Sequence, residues 1–240
     1  DSLKLQSELV DAQLDRLNSL KETVDKVIGQ LESGEEDIDI LRLIESSNYE
    51  KDILDNYRNG HNLNVRINLH EKYGTNKIKW FDWLFKEMAL KDGLRILEVG
   101  CGDGSLWKGK SVKGEIFLSD QSRGMIKRCR DSLGNDYSYQ VFDLEHIPFK
   151  DNYFDVVIAN HVLFYAHDVD DGIKEIYRVL KDGGFLYAST YGKRHMAKIR
   201  EIAKAFNKRI ELSRDELFSK FGIENGEELL SECFREVVFE

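Results

Sequence analysis

The sequence predicts an α/β protein with a doubly wound, mostly parallel sheet carrying helices on both faces, preceded by one long helix. Three observations predict it. Short apolar runs alternate with helical stretches from residue 93 onward. A glycine-rich loop follows the first of those runs. An unbroken seven-residue repeat fills the start of the chain.

The repeat comes first in the chain. Leu3, Val10, Leu17, Val24 and Leu31 recur every seven residues, with Leu20 and Val27 at the second core position and Gln6 and Gln13 before them. Leu14 and Ile28 widen the stripe, and the one glycine, Gly29, lies near its end. Four heptads argue a coiled coil, so residues 3–31 are expected to hold a homodimer. Residues 1–59 carry 15 acidic and 7 basic side chains, −8 of the chain's net −9. That balance argues against binding of nucleic acid through this surface. Residues 1–59 thus read as a helical extension, and residues 60–240 as the domain that follows. Asp1 stands where an initiator methionine is expected, so the chain reads as a piece of a longer protein.

Composition bounds the rest. At 41% hydrophobic and 11% aromatic, the 240 residues suit a packed globular chain. No stretch approaches the roughly 18 apolar residues of a membrane span. Cys101, Cys129 and Cys233 are odd in number and far apart. They read as free thiols in a reducing cytoplasm, and no metal site has the required spacing.

The alternating region begins with a helix over 77–90, whose Trp80, Phe81, Trp83, Leu84 and Met88 form a broad apolar face. Strands are expected at Leu94–Val99, Glu115–Ser119, Tyr137–Phe142, Phe154–Ala159 and Phe185–Thr190, with Phe234–Glu240 able to form a sixth. Helices are expected near 122–133, 169–180 and 193–208, the last with Met196, Ile199, Ala203 and Phe206 on one face. Ser213 and Glu216 make a capping-box pattern for another.

The chemistry centres on Ile96-Leu97-Glu98-Val99-Gly100-Cys101-Gly102-Asp103-Gly104. Glycine is needed where a backbone turns sharply or must approach a ligand. A dinucleotide fingerprint requires G-x-G-x-x-G, but its third position here is Ser105, and the glycine falls one place early at Gly104. No Gly-Lys-Ser/Thr ending marks a nucleoside triphosphate loop. Glu98 at the loop's mouth repels phosphate and suits a cation.

These residues resemble the class I S-adenosylmethionine (SAM)-dependent methyltransferases, of the type 11 kind, with their Rossmann-like fold. The resemblance covers about residues 65–210. It implies that the backbone from Glu98 through Gly100, Cys101, Gly102 and Asp103 to Gly104 wraps the methionine part of SAM. It implies that Asp120, ending the second strand, holds the ribose hydroxyls, as a carboxylate accepting from a vicinal diol can. Gln121 and Met125 would flank the adenine. Phe142-Asp143-Leu144 matches the motif after the third strand, where the family's Asp accepts from the adenine amino group; capping and turn roles stay open for Asp120 and Asp143. The run Asp151 to Asn160 matches the fourth strand, and Arg178-Val179-Leu180-Lys181-Asp182-Gly183-Gly184 matches the helix and glycine turn before the fifth. Asn160 counts among the cofactor positions, and Tyr73 in His70-Glu71-Lys72-Tyr73 is chosen as a contact from upstream.

The implied reaction is in-line methyl transfer to a small-molecule acceptor, leaving S-adenosylhomocysteine. His161, where the fourth strand ends, is the candidate base, with Tyr191 and His195 in the later loop as others. The N-terminal helix is weakly similar to the dimerisation helix of MerR-type regulators. A SAM-sensing module with little or no turnover is therefore the alternative.

Overall fold

In the computed structural model, the structure describes residues 74–206 and 217–239. The heptad segment, the extension over 1–59, Tyr73 and the Ser213–Glu216 pattern lie outside them. The chain divides into two compact units.

The unit formed by residues 88–101, 111–121 and 137–239 contains the sheet. Its strands are β1 (Arg95–Val99), β2 (Glu115–Asp120), β3 (Ser138–Val141), β4 (Phe154–Asn160) and β5 (Leu180–Ser189). All pairings are parallel, in the order β3-β2-β1-β4-β5. The order reverses beside β1, as in a doubly wound sheet, so β1 and β4 diverge at a switch point. The central strands are apolar because both of their faces are covered. Ile96, Leu97, Leu118, Val157 and Ile158 are completely buried.

The helix α3 (Val169–Val179) closes one crossover in this unit. Asp168 caps it by accepting from the N–H groups of Asp170 and Asp171. Its Ile173, Ile176 and Val179 join Leu97, Val99, Phe154, Val157 and Leu163 in one apolar core. Gly172 lets Leu144 pack close: a Cβ on it would lie 2.2 Å from Leu144 Cδ1, which would have to turn aside. Near the end of α3, Arg178 donates to the carbonyls of Ile147 (2.9 Å) and Phe149 (2.7 Å), and to Glu175 and Asp151.

A set of ion pairs marks the amino edge of the sheet. Arg95 donates to Glu115 (2.8 and 3.0 Å), and its guanidinium lies 4.2 Å from the Tyr153 ring centre. Asp155 accepts from the Arg95 N–H (2.8 Å) and from Lys181 Nζ (2.6 Å).

Two strand expectations are corrected. The fifth strand starts at Leu180, not Phe185, because α3 ends at Val179 and Leu180 already pairs with Phe154. Lys181–Gly184 then forms a bulge before Phe185 pairs with Val156, with Gly183 at φ +75°. The sixth strand is absent among the described residues. Instead Phe234 packs edge-on against Tyr177 at 5.6 Å, while Val238 and Phe239 are 76% and 50% exposed.

After β5 the chain forms α4 (Ala197–Phe206), and the short helices α5 (Leu217–Lys220) and α6 (Gly226–Ser231) come later. Between α5 and α6, Phe221 is buried, and its carbonyl accepts from Thr190 Oγ1 (2.6 Å). Lys220 Nζ donates to the Ala166 carbonyl (3.0 Å). This segment thereby holds the loops that follow both β4 and β5.

The other unit includes residues 74–87, 102–110 and 122–136. Most of the helix α1 (Trp80–Met88) belongs to it, as does α2 (Arg123–Leu133). Phe85 meets Trp107 edge-on at 6.0 Å, and Lys110 pairs with Asp82. Ser122 caps α2 by accepting from the Met125 N–H at 3.3 Å. No described helix is long and apolar enough to cross a membrane.

Candidate functional site

The carboxyl ends of parallel strands collect loops whose backbone groups are free to meet a ligand. In the sheet unit, the central one is the turn after β1. Glu98 is 2% exposed, and strand register sets it between Leu118 of β2 and Ile158 of β4. Its carbonyl accepts from Ser119 Oγ at 3.0 Å. One residue past the strand and its glycine, the Cys101 N–H donates to the Ser119 carbonyl at 2.8 Å. Ser119 therefore fixes both sides of the turn.

Between these two bonds sits Gly100, at φ +69°. A Cβ on it would fall 2.4 Å from Val162 Cγ2. The turn thus needs glycine for its left-handed backbone and for close packing under the loop after β4. Neither Ser119 nor Val162 was singled out by sequence. Their roles depend on strand register and on a contact 62 positions away, which no local pattern reports.

Asp120 ends β2, opposite Val141 of β3, and Gln121 beside it is exposed. After β3, Phe142 packs edge-on to Phe149 at 6.3 Å, and Leu144 is buried. Asp143 accepts from the Glu145 N–H (3.0 Å), so it shapes its own turn. Glu145 is half-buried and accepts from the Asp168 N–H. Burial raises its carboxyl to a pKa of about 7; the Asp168 N–H opposes this, and the Asp143, Asp168 and Asp171 carboxylates add to the rise.

Asn160 ends β4 opposite Ser189 of β5. Ser189 Oγ donates to Asn160 Oδ1 at 2.5 Å and accepts from the His161 N–H at 3.0 Å. His161 is exposed and holds φ +52°, a backbone conformation uncommon outside glycine. Its ring lies 6.3 Å from that of Phe164, which in turn is 5.1 Å from Tyr191; Tyr191 is 4.8 Å from His195. The structure thus brings the three candidate bases of the sequence, His161, Tyr191 and His195, to one aromatic row around Phe164. Ser189 is the further polar residue there that sequence reasoning missed.

In the other unit, the loop continues through Gly102 (φ +56°), Asp103 and Gly104 (φ +76°). A Cβ on Gly104 would lie 2.7 Å from Cys129 Sγ and 2.6 Å from Leu133 Cδ1. The Asp103 carboxylate accepts from the Ser105 N–H and Oγ (3.1 and 2.5 Å) and from Lys108 Nζ (2.9 Å). Burial alone would raise its pKa, but those bonds outweigh it and lower it. Met125 is buried within α2. No disulfide joins Cys101, Cys129 and Cys233, and no cluster of metal-ligating side chains occurs among the described residues.

Comparison with known proteins agrees with this geometry. Residues 97–188 match the family model described as a methyltransferase domain. The chain is 33% identical over 121 residues to the ubiquinone/menaquinone biosynthesis C-methyltransferase UbiE of Neisseria meningitidis, covering 48% of this chain and 49% of that one. It is 28% identical over 136 residues to the malonyl-[acyl-carrier protein] O-methyltransferase of Enterobacter lignolyticus, covering 55% and 53%. The chain therefore spans about half the length of the curated relatives it matches. Among solved structures, a chain of the complex between the Haloferax volcanii Trm112 methyltransferase activator and a methyltransferase superposes with a TM-score of 0.52, at 20% identity, covering 69% of this chain and 70% of that one. That likeness concerns the fold. Together, the matched segment, the parallel sheet and the glycine turn identify residues 97–188 as similar to a methyltransferase domain.

Proposed function

We propose that this chain transfers a methyl group from SAM to a small-molecule acceptor by in-line displacement. The observation that carries the reading is the turn after β1, where buried Glu98 leads into a glycine whose Cβ position is already filled by Val162. Such a turn leaves backbone, not side chain, to face the ligand.

The residues fit the group. Glu98, Gly100 and Cys101 would hold the methionine end, where a buried carboxylate favours a positively charged partner. Asp120 would accept from the ribose hydroxyls, Gln121, Phe142, Asp143 and Leu144 would line the adenine side, and Asn160 at the end of β4 would be a further cofactor contact. The resemblance adds Gly102, Asp103 and Gly104 of the glycine motif, Met125 beside the adenine, and Tyr73 from the upstream segment. SAM, when bound, supplies a methyl carbon already activated by a cationic sulfur. The protein's own work is then to hold the acceptor in line, which is worth up to roughly 7–11 kcal/mol in favourable cases, and to take the acceptor's proton. His161 would take that proton, its backbone fixed by Ser189.

Isothermal titration with SAM tests the reading. Micromolar binding supports it, and Asp120→Ala should weaken binding by about 1.5–3 kcal/mol. Unchanged affinity in that variant would show that the ribose lies elsewhere. Once an acceptor is found, His161→Ala with an unaltered pH profile of turnover would remove His161 as the base.

Residues 1–59 are proposed as the dimerising extension of a domain over 60–240, in a reducing cytoplasm and without a nucleic-acid partner. The heptad repeat and acidic balance support this. Sedimentation should give a dimer that Leu17→Glu with Val24→Glu turns into a monomer.

A further inference from the structure

The helix α4 carries exposed apolar side chains. Ile199 and Ile202, three apart and so on one face, are 43% and 63% exposed, and Met196 just before the helix is 41% exposed. The segment is also locally basic. Residues 193–204 hold Lys193, Arg194, Lys198, Arg200 and Lys204 against Glu201 alone, a balance of +4 in a chain of net −9. Lys198, next to Ile199, has its side chain 82% exposed and pairs with Glu201 at 2.8 Å.

We propose that this surface docks on an anionic lipid membrane. Isoleucines exposed on one face of a helix, flanked by lysines, suit the boundary between acyl chains and headgroups. The local positive charge is complementary to acidic headgroups, although the whole chain is acidic. The helix has only ten residues, so it lies on the surface and does not cross it. The consequence is positional. His195, exposed in the loop leading into α4, would lie beside the lipid surface. The inference does not depend on the cofactor reading, since lipid binding and SAM binding are measured separately.

The test is cosedimentation of the full chain with vesicles of phosphatidylcholine, with and without phosphatidylglycerol. Binding should need phosphatidylglycerol and fall at high salt. Ile199→Asp with Ile202→Asp should weaken it by about tenfold or more, with SAM affinity and melting temperature unchanged. Lys198→Glu with Lys204→Glu should weaken it while leaving the apolar face intact. Absence of binding to phosphatidylglycerol vesicles, or binding that both double variants retain, would overturn the proposal. If the chain ignores vesicles and the isoleucines prove to hold two copies together in sedimentation, the face is a protein contact and the proposal fails.

Discussion

Val162 occupies the space that a side chain on Gly100 would need, with its Cγ2 2.4 Å from the would-be Cβ. The turn after β1 and the loop after β4 are therefore packed against each other through a missing atom. Gly100→Ala is expected to cost about 1–3 kcal/mol, from the left-handed backbone and the clash together. Adding Val162→Ala should recover only the clash. Thermal melts of the single and double variants separate the two contributions, and SAM titration should show lost affinity in both.

Ser189 serves Asn160 and His161 at once. Ser189→Ala should lower stability by about 1 kcal/mol, because Asn160 loses a donor in a half-buried place. Melting curves read that cost. If His161 is the base, turnover should fall further than SAM affinity does.

Arg178 holds the chain between Ile147 and Asp151 through two carbonyls and two carboxylates. Arg178→Ala is expected to destabilise by about 1–3 kcal/mol, with partial exposure reducing the ionic share. Lys at this position should recover little, since it cannot make the forked contact. Denaturant melts would show this, with SAM affinity of the folded fraction unchanged.

Glu145 predicts a pH effect. Its folded carboxyl keeps its proton up to a pKa of about 7, whereas the unfolded chain loses it near 4.5. Between those values the folded state binds more protons, so this group makes stability fall as pH rises. Glu145→Gln removes the effect and can still accept from the Asp168 N–H. The variant should melt higher than the parent above pH 7, with the gap closing toward pH 4.5. Equal pH dependence of the two melting curves would show that Glu145 is not the group responsible.

Much of the sheet was legible because its strands are short apolar runs bounded by glycine and polar residues. β1, β2 and β4 begin and end within a residue of the expected places. The helices at 123–133 and 169–179 were equally plain from their spacing. Gly183-Gly184 misled, because glycine signals a helix stop and a strand bulge alike; only pairing of Leu180 with Phe154 distinguishes them. Phe234–Glu240 has strand-like composition, yet Phe234 is taken up by Tyr177, a contact that composition does not encode. In the candidate site, the residues proposed to carry chemistry, Glu98, Asp120, Asn160 and His161, could be picked from the sequence by residue type and place. Those that hold them, Ser119, Val162 and Ser189, were not, because each acts across strands. The helix at 197–206 was readable as a helix, but the exposure of its isoleucines was not.

The ion pairs of Arg95, Glu115, Asp155 and Lys181 stand at the amino ends of the strands, while the glycine turn stands at the carboxyl ends. Lesions at the two edges should therefore differ in kind when read in a living cell. A substitution at Asp155 weakens folding without touching the ligand edge, so it should behave as a temperature-sensitive allele, rescued by growth in the cold. One at Gly100 should remain defective at every temperature.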